Sequence, residues 1–299
     1  AYNWYKNGTL NATSLIEDSL VSYWPLNNDT LDYYGSNDGT NSGAVQNKTS
    51  YVIGGAYTFD GADNITVPSQ IFSNDNFSIS LWMNPTLIDT TADFIWIYDN
   101  SVDDVYCWIY VDSDLTNSMQ VGCYDGTGQT VSPLNQININ QWYNVVVTVN
   151  ASDKIVLYVD GVYQGEDTLG SMIDHPSVAN QHYLGNRVYS GNTFFNGIID
   201  ETMIWDKILS PSEVNQLYWA GVNNGHTMNS SQTTAGDSWI LGVRGVDYSS
   251  VGAETNSSAV TILGAIDSTT PNSTSYVYND TTPQYNEVIQ FNSSFVDET

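Results

Sequence analysis

The chain has 299 residues, enough for two domains of ordinary size or for one large β unit with a smaller companion. Its 6 Lys and Arg stand against 33 Asp and Glu, a formal net charge of −27, which excludes the polyanions, nucleic acid and anionic membrane, as partners. Charged residues are only 13% of the chain and hydrophobic ones 41%, so it is no disordered polyelectrolyte, and no run of about 18 apolar residues is present to span a bilayer.

The first residues, Ala1 followed by Tyr-Asn-Trp-Tyr, read as a strand already under way, so the ends are expected to be processed or cut from something longer. From there a periodicity of two dominates, broken at short intervals by turn clusters, and an all-β chain is predicted. "NFSISLWMNP" and, later, "QWYNVVVTVN" are each long enough to cross a sandwich. Between them lie "DVYCWIYV" and "MQVGCY", with Leu115 midway between Cys107 and Cys123. A symmetric hairpin places those cysteines opposite each other at ~4.5–5.5 Å between Cα atoms, so a disulfide is expected. In "KIVLYVDGVYQGE", Ile155, Leu157 and Val159 alternate with Val156 and Tyr158, and Asp160-Gly161 supplies the positive-φ pair of a type I′ turn.

One helix is predicted. Ser210 is its N-cap, Pro211 its first residue and Glu213 the partner of a capping box. Val214, Leu217 and Tyr218 form its apolar stripe, and Gly221 is expected to end it in the left-handed conformation.

The residues from about Leu15 to Gly221 resemble the laminin-G-like, concanavalin A-like jelly-roll family. The resemblance is carried by "SLVSYWPLNNDTLDYYGSNDGTNSGA", "GGAYTFDGADNITVP", the strands quoted above and "FFNGIIDETMIWDKILSPSEVNQLYWAG". It implies two packed antiparallel sheets and, in many relatives, carbohydrate or protein binding rather than chemistry. It also implies a structural calcium ion between the turn after "FDG" and the strand holding "IDE". Carried over residue by residue, the candidate ligands are Asp60, Asp63, Asn64, Asp200 and Glu201. The alternative is that "DGADN" is a turn whose acids cap their own backbone.

The flanks have a different character. In the segment 222–265, Trp239, Leu241 and Val243 alternate with Ile240, Gly242 and Arg244, as in the last strands of an immunoglobulin-like sandwich. Segment 266–299 reads as the first strands of such a sandwich, with Ile289, Phe291 and Phe295 on one side, and residues 1–14 supply the strand that follows, with Trp4 at a position where these folds bury a Trp. The jelly roll, 15–221, is therefore read as inserted in a smaller immunoglobulin-like domain of ordinary length. Three ways of completing that domain stay open: tandem repeats, head-to-tail strand exchange between copies, or closure of the two ends within one chain.

Catalytic patterns are absent from the sequence. Asp200 and Glu201 are neighbours on a strand and are expected to point to opposite faces, so they do not form a glycosidase pair. His175, His182 and His226 have no metal spacing and no nucleophile beside them. Sequons stand at Asn7, Asn11, Asn28, Asn47, Asn64, Asn76, Asn150, Asn229, Asn256, Asn272, Asn279 and Asn292, favouring an exported, glycosylated surface protein, although an Asn- and Ser-rich chain makes several by chance. With 9 Trp and 21 Tyr, aromatic rings in "WIYDN", "YCWIY" and "RVYSGNTFF" are candidates for stacking on sugars. The sequence thus points to a non-enzymatic structural or adhesive extracellular protein, a subunit of a filament joined head to tail with its own copies. The alternative is a carbohydrate-binding module of a secreted adhesin or polysaccharide-degrading enzyme.

Overall fold

The computed structural model describes residues 1–68, 76–88, 93–100, 105–112, 118–124, 129–131, 136–152, 154–168, 181–187, 193–223, 227–229, 232–247, 250–262 and 288–290. Two large antiparallel sheets make a jelly-roll sandwich. One runs in the order Val162–Thr168, Lys154–Val159, Tyr143–Val149, Phe77–Leu87, Asn196–Trp205, Ala56–Asp60 and Val45–Asn47, with Leu20–Trp24 alongside the second half of Asn196–Trp205. The other runs Gln129–Val131, Ser118–Tyr124, Val105–Asp112, Asp93–Asn100, Gln181–Leu184, Asn64–Val67 and Thr40–Ser42. The alternation predicted for Lys154–Val159 decides its packing. Ile155, Leu157 and Val159 enter the core between the sheets with Ile79, Leu81, Val145 and Ile109, while Val156 and Tyr158 face a second cluster outside. Asp160 at φ 53° and Gly161 at φ 75° make the type I′ turn that follows.

The second cluster is covered by helix α1, Pro211–Val222. Ser210 Oγ accepts from the Glu213 N–H, and the Glu213 carboxylate accepts from the Ser210 N–H at 2.8 Å, the reciprocal capping box the sequence predicts. Val214 and Leu217 bury against Val146, Tyr158, Met203 and Trp205. The predicted C-terminus differs: Gly221 lies inside the helix, and Asn223 caps it with its N–H. Gly221 is needed for space instead, since a Cβ there would meet Trp82 Cζ2 at 2.3 Å.

The chain's first strand, Tyr2–Lys6, sits in a separate small sheet between Thr9–Thr13 and Ser238–Val243, with Thr255–Asn256 and Val260–Thr261 on the far side. Its register sets Trp4 opposite Leu241, and the pairing continues through the Ala1 nitrogen, which donates to the Arg244 carbonyl at 2.6 Å. Trp4, Trp239 and Leu241 form a third core with Ala12, Met228 and Ala220 of α1. The helix therefore contributes to two cores at once, tying the small sheet to the jelly roll. Thr227–Asn229 pairs with Val288–Gln290, so a strand from segment 266–299 joins a strand from 222–265 within the same chain. Cys107 and Cys123 are register partners, as hairpin symmetry requires. The side chains of Ile289, Phe291 and Phe295, and the sequons Asn272, Asn279 and Asn292, fall outside the described residues.

Candidate functional site

The strand Asn196–Trp205 carries the local anomaly from which a site is built. Its register against Phe77–Leu87 shifts between Asp200 and Met203, inserting one extra residue, and Glu201 there adopts φ 49°. A non-glycine residue in the left-handed region at a bulge is uncommon and costs energy. The bulge breaks the strict alternation, and although neither carboxylate lines a cavity among the described residues, Asp200 bonds to Ile53 and Glu201 to Tyr23, two residues that line the same one. Asp200 Oδ2 accepts from the N–H of Val52 at 2.6 Å and of Ile53 at 3.2 Å, and its Oδ1 accepts from the Glu201 N–H at 2.8 Å. Glu201 Oε2 accepts from the Tyr23 hydroxyl at 2.8 Å, whereas Oε1 is buried without a hydrogen bond among the described residues.

Above this pair lies a cavity of about 290 Å³ at the seam between the jelly roll and the small sheet. Tyr2, Tyr23, Tyr33 and Tyr51 line it, with Asn27 and Ser14 as polar groups. Each wall has a local cause. Asp32, buried, holds the loop leading to Tyr33 by accepting from the N–H groups of Tyr23, Tyr34, Gly35 and Asn37 at 2.9–3.1 Å. Asp200 fixes the loop of Tyr51 to Gly54 through its two backbone bonds there. Ser14 Oγ accepts from the Tyr2 N–H at 2.9 Å and sets the edge of the small sheet. Tyr51, 37% exposed, stands at the mouth.

Burial raises both carboxyls. It lifts Glu201 to about 8, against the opposing pull of the Tyr23 hydroxyl. Asp200 rises well above the usual carboxylate range through burial and then the neighbouring Glu201 charge, while its three N–H donors favour ionisation. Tyr23 is pushed well up by burial and by Glu201.

The five residues predicted for calcium do not share a site. Asp60, Asp63 and Asn64 belong to the turn before Asn64–Val67, where Asp63 Oδ2 accepts from the Asp60 N–H and Asp60 Oδ1 from the Ala62 N–H, both at 3.0 Å. Asp60 pairs with Asn196, and Asp200 lies four residues further along that strand, ~13 Å at ~3.3 Å per residue. Among the described residues no group of three or more His, Cys, Asp or Glu is placed to hold a metal. The acids cap backbone, which is the turn alternative. Of the aromatic rings proposed for stacking, Phe195, 0% exposed, belongs to the core between the sheets, whereas Trp108, 7% exposed, alternates with the core residues Ile109 and Val111 and lies beside Tyr110. The cavity tyrosines were missed because no local pattern marks them: they come from four separate segments. The positive φ of Glu201 likewise leaves no trace in "IIDET".

A sandwich of two large antiparallel sheets in this order is the jelly roll of the concanavalin A-like class. The chain belongs to the concanavalin A-like lectin/glucanases superfamily, whose Laminin_G_3 model matches residues 59–215. No curated protein matches the chain. Among solved structures it is similar to domain 4 of AbnA, an extracellular arabinanase of Geobacillus stearothermophilus solved with arabinotriose, at 21% identity and TM-score 0.57 over 67% of this chain and 98% of that one. It is similar to Trypanosoma rangeli sialidase at 14% identity and TM-score 0.58, over 73% of this chain and 34% of the sialidase. The binding domain of Paraclostridial Mosquitocidal Protein 1 matches at 16% identity and TM-score 0.55, over 77% of this chain and 65% of that one. These likenesses concern the fold. Among the described residues no helix is long and apolar enough to cross a membrane.

Proposed function

We propose that the chain is a non-catalytic carbohydrate-binding module of a secreted or cell-surface protein. The observation that carries this reading is the cavity of four tyrosines with Asn27 and Ser14 on a lectin-class jelly roll. Sugar rings present C–H faces that stack on aromatic side chains, and hydroxyls that amide and hydroxyl groups can bond. Its volume, about 290 Å³, is at the small end of ligand pockets and suits one ring or the end of a chain. A similar fold in the arabinanase domain was solved with arabinotriose, which supports the class of ligand. The net charge of −27 weighs against acidic glycans. The test is a glycan array followed by calorimetry on the hits. Saturable binding lost in Tyr51→Ala supports the reading, and no binding to any glycan at millimolar concentration overturns it.

A second reading, an adhesive subunit of a glycosylated filament, draws on the pairing of Val288–Gln290 with Thr227–Asn229, whose Met228 packs with Trp4 of the small sheet. Exposed sequons at Asn28 and Asn256 fit a glycosylated surface. Because Val288–Gln290 pairs in the same chain, assembly would require this strand to exchange between copies. Light scattering across protein concentrations tests it: a growing mass supports exchange, a constant monomer mass overturns it.

A further inference from the structure

The cavity is lined by one polar side chain whose hydrogen-bonding groups are unused. Asn27 belongs to its wall together with Pro25, Ile53 and Gly54. The amide Oδ1 is buried without a hydrogen bond among the described residues, whereas the Nδ2 is accessible and donates to none of them. The other polar groups of the wall are already engaged. The Tyr23 and Tyr33 hydroxyls donate to Glu201 and Asp29, and Ser14 Oγ accepts from the Tyr2 N–H.

The surrounding backbone is shaped around Asn27. The preceding residue, Leu26, is wholly buried at φ 54°, a left-handed conformation that costs a bulky residue energy and persists only where its surroundings impose it. Gln46 Nε2 donates to the Asn27 carbonyl at 2.5 Å. A Cβ on Gly54 would lie 2.5 Å from Asn27 Oδ1, and one on Gly55 2.5 Å from the Asn27 carbonyl oxygen, so the loop that follows Tyr51 packs its bare backbone on this residue. Turning the amide over would bury two N–H donors in that wall in place of one acceptor, so the donor side is the one that faces the cavity.

We infer that Asn27 sets the specificity of the cavity, and that the ligand is a neutral N-acetylated sugar whose acetamido carbonyl accepts from Asn27 Nδ2. This rests on the carbohydrate reading and names its ligand class. With its oxygen turned into the wall, Asn27 offers donors alone. A carbonyl oxygen is an acceptor alone and matches them, whereas a sugar hydroxyl brings a proton that needs a further acceptor at the same place. The acetyl methyl needs apolar surface, which Pro25 and Ile53 supply in the same lining. Among the described residues no Lys, Arg, Asp or Glu lines the cavity, so neither a carboxylated sugar nor one with a free ammonium finds a counter-charge there.

The experiment is calorimetry of N-acetylglucosamine, N-acetylgalactosamine, glucose and galactose with the wild-type chain and with Asn27→Asp, whose folding is checked by near-UV circular dichroism. The expected result is at least one N-acetyl sugar binding about tenfold tighter than its parent hexose, the effect of one well-placed hydrogen bond and a buried methyl. Asn27→Asp keeps the shape of the side chain but exchanges its donor for an acceptor, and should bring the N-acetyl sugar down to the level of the parent hexose. Asn27→Ser, shorter and uncharged, serves the same comparison should Asn27→Asp not fold. Equal affinity for acetylated and parent sugars, or a preference that survives the substitution in folded protein, overturns the inference and leaves the carbohydrate reading intact. If all four sugars fail, glycan-array hits confined to glycans with an acetamido group support the inference, hits confined to glycans without one overturn it alone, and an empty array overturns both.

Discussion

Tyr23 and Glu201, 178 residues apart, share a 2.8 Å hydrogen bond that joins an early strand of the jelly roll to the bulge of a late one. The bond lies in a buried setting that raises the Glu201 carboxyl to about 8. The folded state therefore holds a proton that the unfolded chain releases above the ordinary glutamate range of ~4.3. Stability from this group is fully present below that value and is lost as pH rises towards 8. Urea unfolding at pH 5 and pH 8 should show a loss on the order of a few kcal/mol in the wild type and a smaller one in Glu201→Gln. An identical pH slope in the two proteins would remove Glu201 from this role.

The helix that spans two cores gives separable effects at its ends. Ser210→Ala removes the cap and should cost about 1 kcal/mol. Gly221→Ala leaves the cap intact but forces a methyl group against Trp82, so about 1–3 kcal/mol is expected despite alanine's better helix propensity. Thermal melts of both variants decide it; a stabilised Gly221→Ala would show that Trp82 gives way.

Trp4 is fully buried with Trp239 in the small-sheet core. Trp4→Ala should destabilise by ~3–5 kcal/mol and bring amide exchange in Ser238–Val243 close to that of an open strand, while Tyr143–Val149 stays protected. Equal loss of protection in both would make the two units one cooperative body.

Cys107 and Cys123 face each other in register. Mass spectrometry after alkylation without reductant should find neither cysteine labelled, and reduction should lower stability by ~2–4 kcal/mol. Labelling of both in the unreduced protein would rule out the bond.

Calcium should not matter. Because the proposed ligands lie at two places along the strand Asn196–Trp205, chelation with EDTA is expected to leave the melting temperature unchanged. A fall of several degrees would restore a metal site.

What the sequence disclosed follows from how local the cause is. The hairpin turn at Asp160-Gly161, the box of Ser210 with Glu213, and the facing of Cys107 and Cys123 depend on residues close in sequence, and each is where the residues predicted. The role of Gly221 was misread because its reason is the ring of Trp82, more than a hundred residues away. The calcium set failed for a similar reason: shared chemistry along the chain carries no register, and the pairing of Asp60 with Asn196 fixes the distance to Asp200. The cavity was illegible because it combines segments of both β units.

The register of Trp4 with Leu241 has a consequence for biosynthesis. Once made, the strand Tyr2–Lys6 waits for its partner Ser238–Val243 until some 230 further residues have followed, roughly 10–50 s at ~5–20 residues per second. Throughout that interval an aromatic, β-prone segment has only its hairpin neighbour Thr9–Thr13 and keeps one edge open beside a jelly roll that is already assembling. Delay or premature release at this stage would expose the growing chain to strand-mediated association, so the open edge of Tyr2–Lys6 is the place where a chaperone or secretion factor has most to protect.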